Sequence, residues 1–303
     1  MNTLIGHRIR IACLATALFS AALSAAPAFA QQAFATPDAA GDALVQALSA
    51  NKPDEATLAA VLGKNWRDFI PVGSVDRSDV DAFLAKYRER HAWNDIDGGR
   101  KQLAVGSDAF TLPVPLSKDD KGWHFDMLAG ADEIRARRIG RNEIDVIEAL
   151  RAYHDAQNDY AELDRDGDGV LEYARRLVST DGRHDGLYWA DDDSGEISPL
   201  GPLFGDATPK SDWLGYRYRI LEAQGPSAPG GKYAYTLGDN MSRGFALVAW
   251  PAKYGDTGIM TFMISHDGGV FERDLGKDGE RAARNMKTFD PDSGWTEVDK
   301  ATR

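Results

Sequence analysis

Residues 31–303 contain no cysteine, since Cys13 is the single one in the chain. Disulfides, thiolate metal sites and cysteine nucleophiles are thereby excluded from that part. Basic charge is also scarce: 35 Lys+Arg stand against 47 Asp+Glu, a formal net charge of −12. Nucleic-acid binding rests on clustered Lys and Arg, so this balance argues against it. It equally disfavours adsorption on anionic lipid. The six histidines show neither H-x-x-x-H nor H-E-x-x-H spacing, which leaves zinc without support. No G-x-S-x-G nucleophile elbow occurs. The faint phosphate-loop likeness at Gly230-Gly231-Lys232 fails, because Pro226 stands where the first glycine belongs and Tyr233 follows the lysine. Beyond Pro27 no apolar run is long enough to span a bilayer, so no transmembrane segment is expected in residues 31–303.

What is present begins with an export signal. His7, Arg8 and Arg10 make a positive start, residues 11–23 an apolar stretch, and Ala28-Phe29-Ala30 a small-x-small cleavage site. Cleavage near Ala30 would leave Gln31 first and place the protein in the periplasm or outside the cell. Cys13 precedes most of the apolar run, so it is not a lipoprotein cysteine. Removing residues 1–30 takes away two arginines and no acids, and the charge moves from −12 to −14.

The mature chain reads as α+β in two parts, residues 31–140 and 141–303. Thr36-Pro37-Asp38 is an N-cap, a proline at the first helical position and an acid in the first turn. Leu44, Ala47 and Leu48 continue one face of that helix. A second helix starts near Asp54, and Val80, Phe83, Leu84 and Tyr87 mark a third behind Ser78. Strands are expected over 102–105, 109–116 and 123–127. Residues 131–141 read as a charged helix interrupted at Gly140, with Asn142 capping the next one. That helix carries the stripe Ile144, Ile147, Leu150, Tyr153, Gln157 and Tyr160. Further on, residues 215–221 read as a strand and 244–250 as a buried interior strand. Residues 259–265 and 270–275 flank the hairpin signal His266-Asp267-Gly268-Gly269. The second part is therefore one long helix packed on an antiparallel sheet.

The sharpest chemical motif is Asp164-Arg165-Asp166-Gly167-Asp168-Gly169. It matches the opening of a calcium loop, with carboxylates at positions one, three and five and glycine at the sharp turn. Calcium needs several hard oxygens converging on a point, and alternate acids in a turn supply them. Position twelve is Arg175, where an EF-hand places a bidentate glutamate, so Glu172 at position nine is the candidate substitute. The competing reading is a solvated Asp/Gly turn after a helix. A phosphatase-type Asp nucleophile is discounted, because residues 160–163 end a helix instead of a buried strand. His184-Asp185 with Ser179 or Ser198 makes a triad only on paper, and His184 as a hydrogen-bonded loop residue is preferred. Trp189, Trp213, Tyr216, Tyr218, Tyr233, Tyr235, Trp250 and Tyr254 would line a groove for glycan or peptide, or fill the core of a Gly-rich sheet. The core reading is the commoner fate of such side chains.

Several segments resemble the DUF2950 family, exported bacterial proteins of uncharacterised function. They are Arg138-Ile139-Gly140-Arg141-Asn142-Glu143, Ala156-Gln157, Glu172-Tyr173-Ala174, Asp185-Gly186-Leu187-Tyr188-Trp189 and Ser198-Pro199-Leu200-Gly201-Pro202. Gln224-Gly225, Ala228-Pro229-Gly230-Gly231 and Gly244-Phe245-Ala246-Leu247-Val248-Ala249-Trp250-Pro251 continue the series. The resemblance spans nearly all of the mature chain and implies an envelope protein, with no catalytic residues to carry over. More distantly, Ala156-Gln157 with Tyr160, Gly215-Tyr216-Arg217-Tyr218, Ala249-Trp250-Pro251, Gly258 with Thr261-Phe262, and Asp267-Gly268-Gly269-Val270 are similar to the globular part of type IV pilins and pseudopilins. That likeness implies a helix against an antiparallel sheet. Fibre formation does not follow, since a pilin's long apolar helix is N-terminal and this one is internal and polar on one side.

The expectation is an exported, non-enzymatic module that binds an envelope protein, glycan or peptide, or serves a structural role. The alternative is a hydrolase of an envelope polymer that uses Asp185, Asp166 or Asp168, with calcium support.

Overall fold

The computed structural model describes residues 31–50, 52, 54–192, 195–201 and 212–298. The expected signal peptide lies outside them. The fold is α+β, with two cores strung on one long helix.

The first core is made by three helices over a small sheet. Helix α1 (Pro37–Leu48) starts as its sequence dictates: Thr36 caps it by accepting a hydrogen bond from the Ala39 N–H, and Pro37 occupies the first turn. Asp54 does the same for α2 (Glu55–Leu62) through the Thr57 N–H. Helix α3 (Arg77–Glu89) is capped at Asp76, two residues before the expected Ser78. The sheet holds β1 (His91–Ile96), β2 (Arg100–Val105), β3 (Phe110–Thr111), β4 (Leu116–Asp119) and β5 (Gly122–Phe125) in the order β1-β2-β4-β5, with β3 also on β2. Strand β1 was not expected, because the run His91-Ala92-Trp93-Asn94 lacks apolar alternation. Its backbone pairing with β2 forms it. The strand expected over 109–116 is instead the two short pieces β3 and β4, separated by Pro113, which has no N–H for a ladder.

Helix α4 (Met127–Tyr160) runs unbroken for 34 residues. The interruption expected at Gly140 and the cap expected at Asn142 do not occur. A mid-helix glycine costs about 1 kcal/mol relative to alanine, and neighbouring contacts offset it. Arg138 pairs with Asp256, the Asn142 side-chain amide donates to the Thr257 carbonyl at 2.8 Å, and Glu143 accepts from the N–H groups of Ile259 and Met260 at 2.8 and 2.9 Å. Arg141 turns the other way, to the Ser74 carbonyl at 2.9 Å and to Asp79 at 3.2 Å. The segment 138–143 is thus where both halves of the molecule grip the helix. Met127 and Ile134 before it belong to the first core, and Val146, Leu150, Tyr153, Ala156 and Tyr160 after it to the second. Ile144, expected on the buried stripe, is exposed.

The second core surrounds a sheet ordered β12-β11-β10-β9-β6. Its strands are β6 (Tyr216–Leu221), β9 (Ala246–Pro251), β10 (Met260–Ser265), β11 (Val270–Asp274) and β12 (Thr296–Glu297), all antiparallel to their neighbours. A two-stranded ribbon, β7 (Ala223–Gln224) and β8 (Tyr233–Ala234), lies beside it. Successive strand residues point to opposite faces. Tyr216 meets Glu143 of α4, whereas Arg217 pairs with Glu280 of the short helix α5 (Gly279–Asn285). The two helices therefore cover opposite faces, and β9 is buried at all six positions, as its continuous apolar run requires. Helix α5 was not anticipated.

Candidate functional site

Just past α4 the chain enters the aspartate loop, which is fastened at both ends. Upstream, α4 is anchored by Gln157, whose fully buried amide donates to the Tyr153 hydroxyl (2.9 Å) and the Ala174 carbonyl (2.8 Å) and accepts from the Ala174 N–H (2.8 Å). Downstream, the Tyr173 N–H donates to the Met241 carbonyl, and Glu172 accepts from the Met241 N–H at 3.2 Å. Between these ties Gly167 and Gly169 take positive φ and let the chain curl around Asp164.

Asp164, Asp166 and Asp168 each present a carboxylate oxygen, and these lie within 4.8 Å of one another. The Asp164 carboxylate accepts from the N–H groups of Gly169 (2.9 Å) and Gly167 (2.8 Å), which hold it below the usual carboxylate range. The Asn240 side chain donates to Asp168 at 2.6 Å. Glu172 stands beside the three aspartates but outside that 4.8 Å set. Burial, then the charges of Asp166 and Asp168, push its carboxyl up against the pull of the Met241 bond. Arg175 at position twelve points away, to Glu222 at 2.8 Å. Sequence reading found the acids but not Asn240 or Met241. They lie about seventy residues downstream in a stretch without metal-loop character, and no local signal marks them.

The other sequence candidates are placed as follows. His184 stacks on Trp189 with ring centres 4.2 Å apart. Its Nε2 meets Asp192 at 2.8 Å and its Nδ1 meets Glu196 at 3.0 Å. Ser179 is bonded to Gly186 and Ser198 to the Leu187 and Leu200 carbonyls, so neither of these two serines joins the ring in a triad. Asp185 is occupied by the Thr180 N–H (2.7 Å) and hydroxyl (2.8 Å). Those bonds outweigh its partial burial and keep its carboxyl low, which suits a turn cap and not a general acid. Of the aromatic set, Trp189, Tyr216, Tyr235 and Trp250 are buried, and Trp213, Tyr218 and Tyr233 pack against the second core. Tyr254 is exposed. The segment 225–231 wraps around the buried Gln224, whose amide donates to the Pro229 and Gly231 carbonyls, and so is a turn.

The His184 cluster gives a pH expectation. Burial opposes the charged ring, but Asp192 and Glu196 outweigh it and raise the pKa above the ordinary 6.5. A raised folded-state pKa means the stabilisation is complete below pH 6.5 and fades as pH climbs through the folded value. The melting temperature of the wild type should therefore fall relative to that of His184→Gln between pH 6 and pH 9, measured by scanning calorimetry in matched salt. Parallel pH profiles for the two proteins would contradict it.

Two cores on a shared helix, with a carboxylate-rich loop where that helix ends, define a class of acidic α+β protein with a candidate cation loop. Residues 31–298 match the family described as "Protein of unknown function (DUF2950)", and the chain belongs to that family. No curated protein matches the chain. No solved structure matches it either.

Proposed function

We propose that this chain is an exported envelope protein that binds a partner or serves a structural role without catalysis, and that loop 164–172 holds a calcium ion. The observation that carries the calcium reading is the convergence of Asp164, Asp166 and Asp168. Ligands on opposite sides of a calcium ion at about 2.4 Å are about 4.8 Å apart, so oxygens within 4.8 Å of one another can share one ion. Each carboxylate oxygen has two lone pairs, so the loop's own N–H bonds leave room for ligation. Burial is the main cause that raises Glu172, and a cation there would offset the added repulsion from Asp166 and Asp168. With the closing bidentate glutamate replaced by Arg175, affinity belongs to the weak extracellular class, with Kd on the order of 10⁻⁴–10⁻³ M.

Isothermal titration with CaCl₂ should give a single weak site that Asp166→Asn removes, and magnesium should bind less well. A melting temperature unmoved by calcium at about ten times that Kd would show that the loop is a solvated turn.

Export rests on the pattern of residues 1–30. It predicts that protein recovered from the envelope fraction begins at Gln31 by N-terminal mass spectrometry, and a chain retaining residues 1–30 would contradict it. The pilin-like resemblance of the second half implies a body of one helix on an antiparallel sheet. Because α4 follows a folded first core, that body would serve binding in place of fibre assembly.

A further inference from the structure

A second site lies at the opposite edge of the sheet from β6, in a cleft of about 350 Å³ between α4, the β10–β11 turn and β12. Its floor is aliphatic: Ile264, Val270 and Val298. Its walls are charged, with Arg151, His154 and Asp155 from α4 facing Asp267 and Glu297. The cationic groups are already engaged. Arg151 is 2.6 Å from Glu148, and His154 donates through Nε2 to the His266 carbonyl (3.2 Å) while its Nδ1 meets Asp155 (3.1 Å). Asp267 and Glu297 take part in no ion pair among the described residues. The Gly268-Gly269 turn brings the walls close: a Cβ at Gly268 would sit 3.4 Å from His154 Nε2, and one at Gly269 3.3 Å from Glu297 Oε1.

We propose that this cleft binds a primary ammonium carried on a short aliphatic stem, as on a lysine side chain or a free amine of an envelope peptide. The ammonium goes to Asp267 and Glu297, and the methylenes lie against half-buried Val298, next to Ile264 and Val270 of the core. A bare metal ion would make no use of an aliphatic floor, and an anion would be repelled by the Asp267 and Glu297 carboxylates. The volume is in the range of small-ligand sites. The proposal rests on the binding-module reading above and supplies its ligand class. It is independent of calcium, because its residues are separate from loop 164–172.

The test is an ¹H–¹⁵N NMR titration of the mature chain with cadaverine. Saturable shifts of the Gly268 and Gly269 amides are expected, with Kd near 1 mM, on the order of −4 kcal/mol. The double variant Asp267→Asn/Glu297→Gln should weaken binding at least about tenfold, while leaving the calcium response intact. Asp166→Asn should leave the amine titration intact. Nα-acetyl-lysine amide and glycine amide then separate a lysine side chain from a peptide terminus as the source of the amine. Linear, non-saturating shifts with cadaverine, or equal binding by the double variant, would overturn the proposal. Loss of the calcium response alone would overturn only the calcium reading.

Discussion

Gln157→Leu is expected to destabilise the second core by about 2–6 kcal/mol, because it strands the buried N–H and C=O of Ala174 at roughly 1–3 kcal/mol each. The leucine fills the space but offers Ala174 nothing. The damage reaches further than one loop. Tyr153 accepts from Gln157 and itself donates to the Ala246 carbonyl at 3.3 Å, so a chain of hydrogen bonds runs from Ala174 through α4 to strand β9. Equilibrium denaturation should show a lower midpoint with an unchanged slope, the sign of lost stability instead of altered compactness. Calcium affinity should fall in the same variant, since Ala174 lies two residues past Glu172 and fastens the loop's exit. An unfolding free energy within about 0.5 kcal/mol of wild type would mean that water replaces the amide, and the network argument would fail.

The second large effect is expected at Gly122, the first residue of β5 after the turn from β4. Its φ is +133°, a conformation that side chains rarely adopt, and a Cβ there would lie 2.5 Å from the Phe34 carbonyl oxygen. That oxygen cannot retreat. Phe34 and Trp123 exchange two backbone hydrogen bonds, at 2.7 and 2.8 Å, which dock residues 31–36 onto the first sheet. Gly122→Ala must either break this bridge or flatten the turn that Asp119 closes through the Lys121 and Gly122 N–H groups. Strain and lost bonds together should cost about 3 kcal/mol or more. Limited proteolysis should then cut residues 31–36 first. Gly73→Ala is the control: its φ is +79°, but nothing lies within 4 Å of its Cβ, so only the backbone cost of about 1 kcal/mol is expected. Equal losses in the two variants would show that contact with Phe34 contributes nothing.

The two sites differ in how much of them was legible. The aspartate loop's acids could be read directly, because Asp-x-Asp-x-Asp-Gly sets its geometry within six residues. What completes it could not, since Asn240 and Met241 arrive from the segment after β8. In the cleft, the hairpin at Gly268-Gly269 was visible in sequence. Its facing wall on α4 was not, because His154 and Asp155 lie on the polar side of a helix, where charged residues are ordinary. His184 was read as a hydrogen-bonded loop residue, and it is one, but its two carboxylate partners were invisible, since Asp192 and Glu196 follow no spacing rule.

By itself the sequence determined whatever depends on neighbours within a few residues. That includes the absence of disulfide chemistry from residues 31–303, the caps of α1 and α2, the buried run of β9, the β10–β11 hairpin and the aspartate turn. Caps, turns and periodicity are local interactions, and their energies are set by residues one to four positions apart. Tertiary structure decided the rest. Gly140 by propensity should weaken α4, yet the helix passes straight through, because Arg138, Asn142 and Glu143 hold the segment 256–260 on one side and Arg141 holds residues 74 and 79 on the other. The local cost of one glycine is about 1 kcal/mol, and several long-range hydrogen bonds made together exceed it. The same holds for β1, whose residues carry no strand pattern and form a strand only because β2 supplies a ladder.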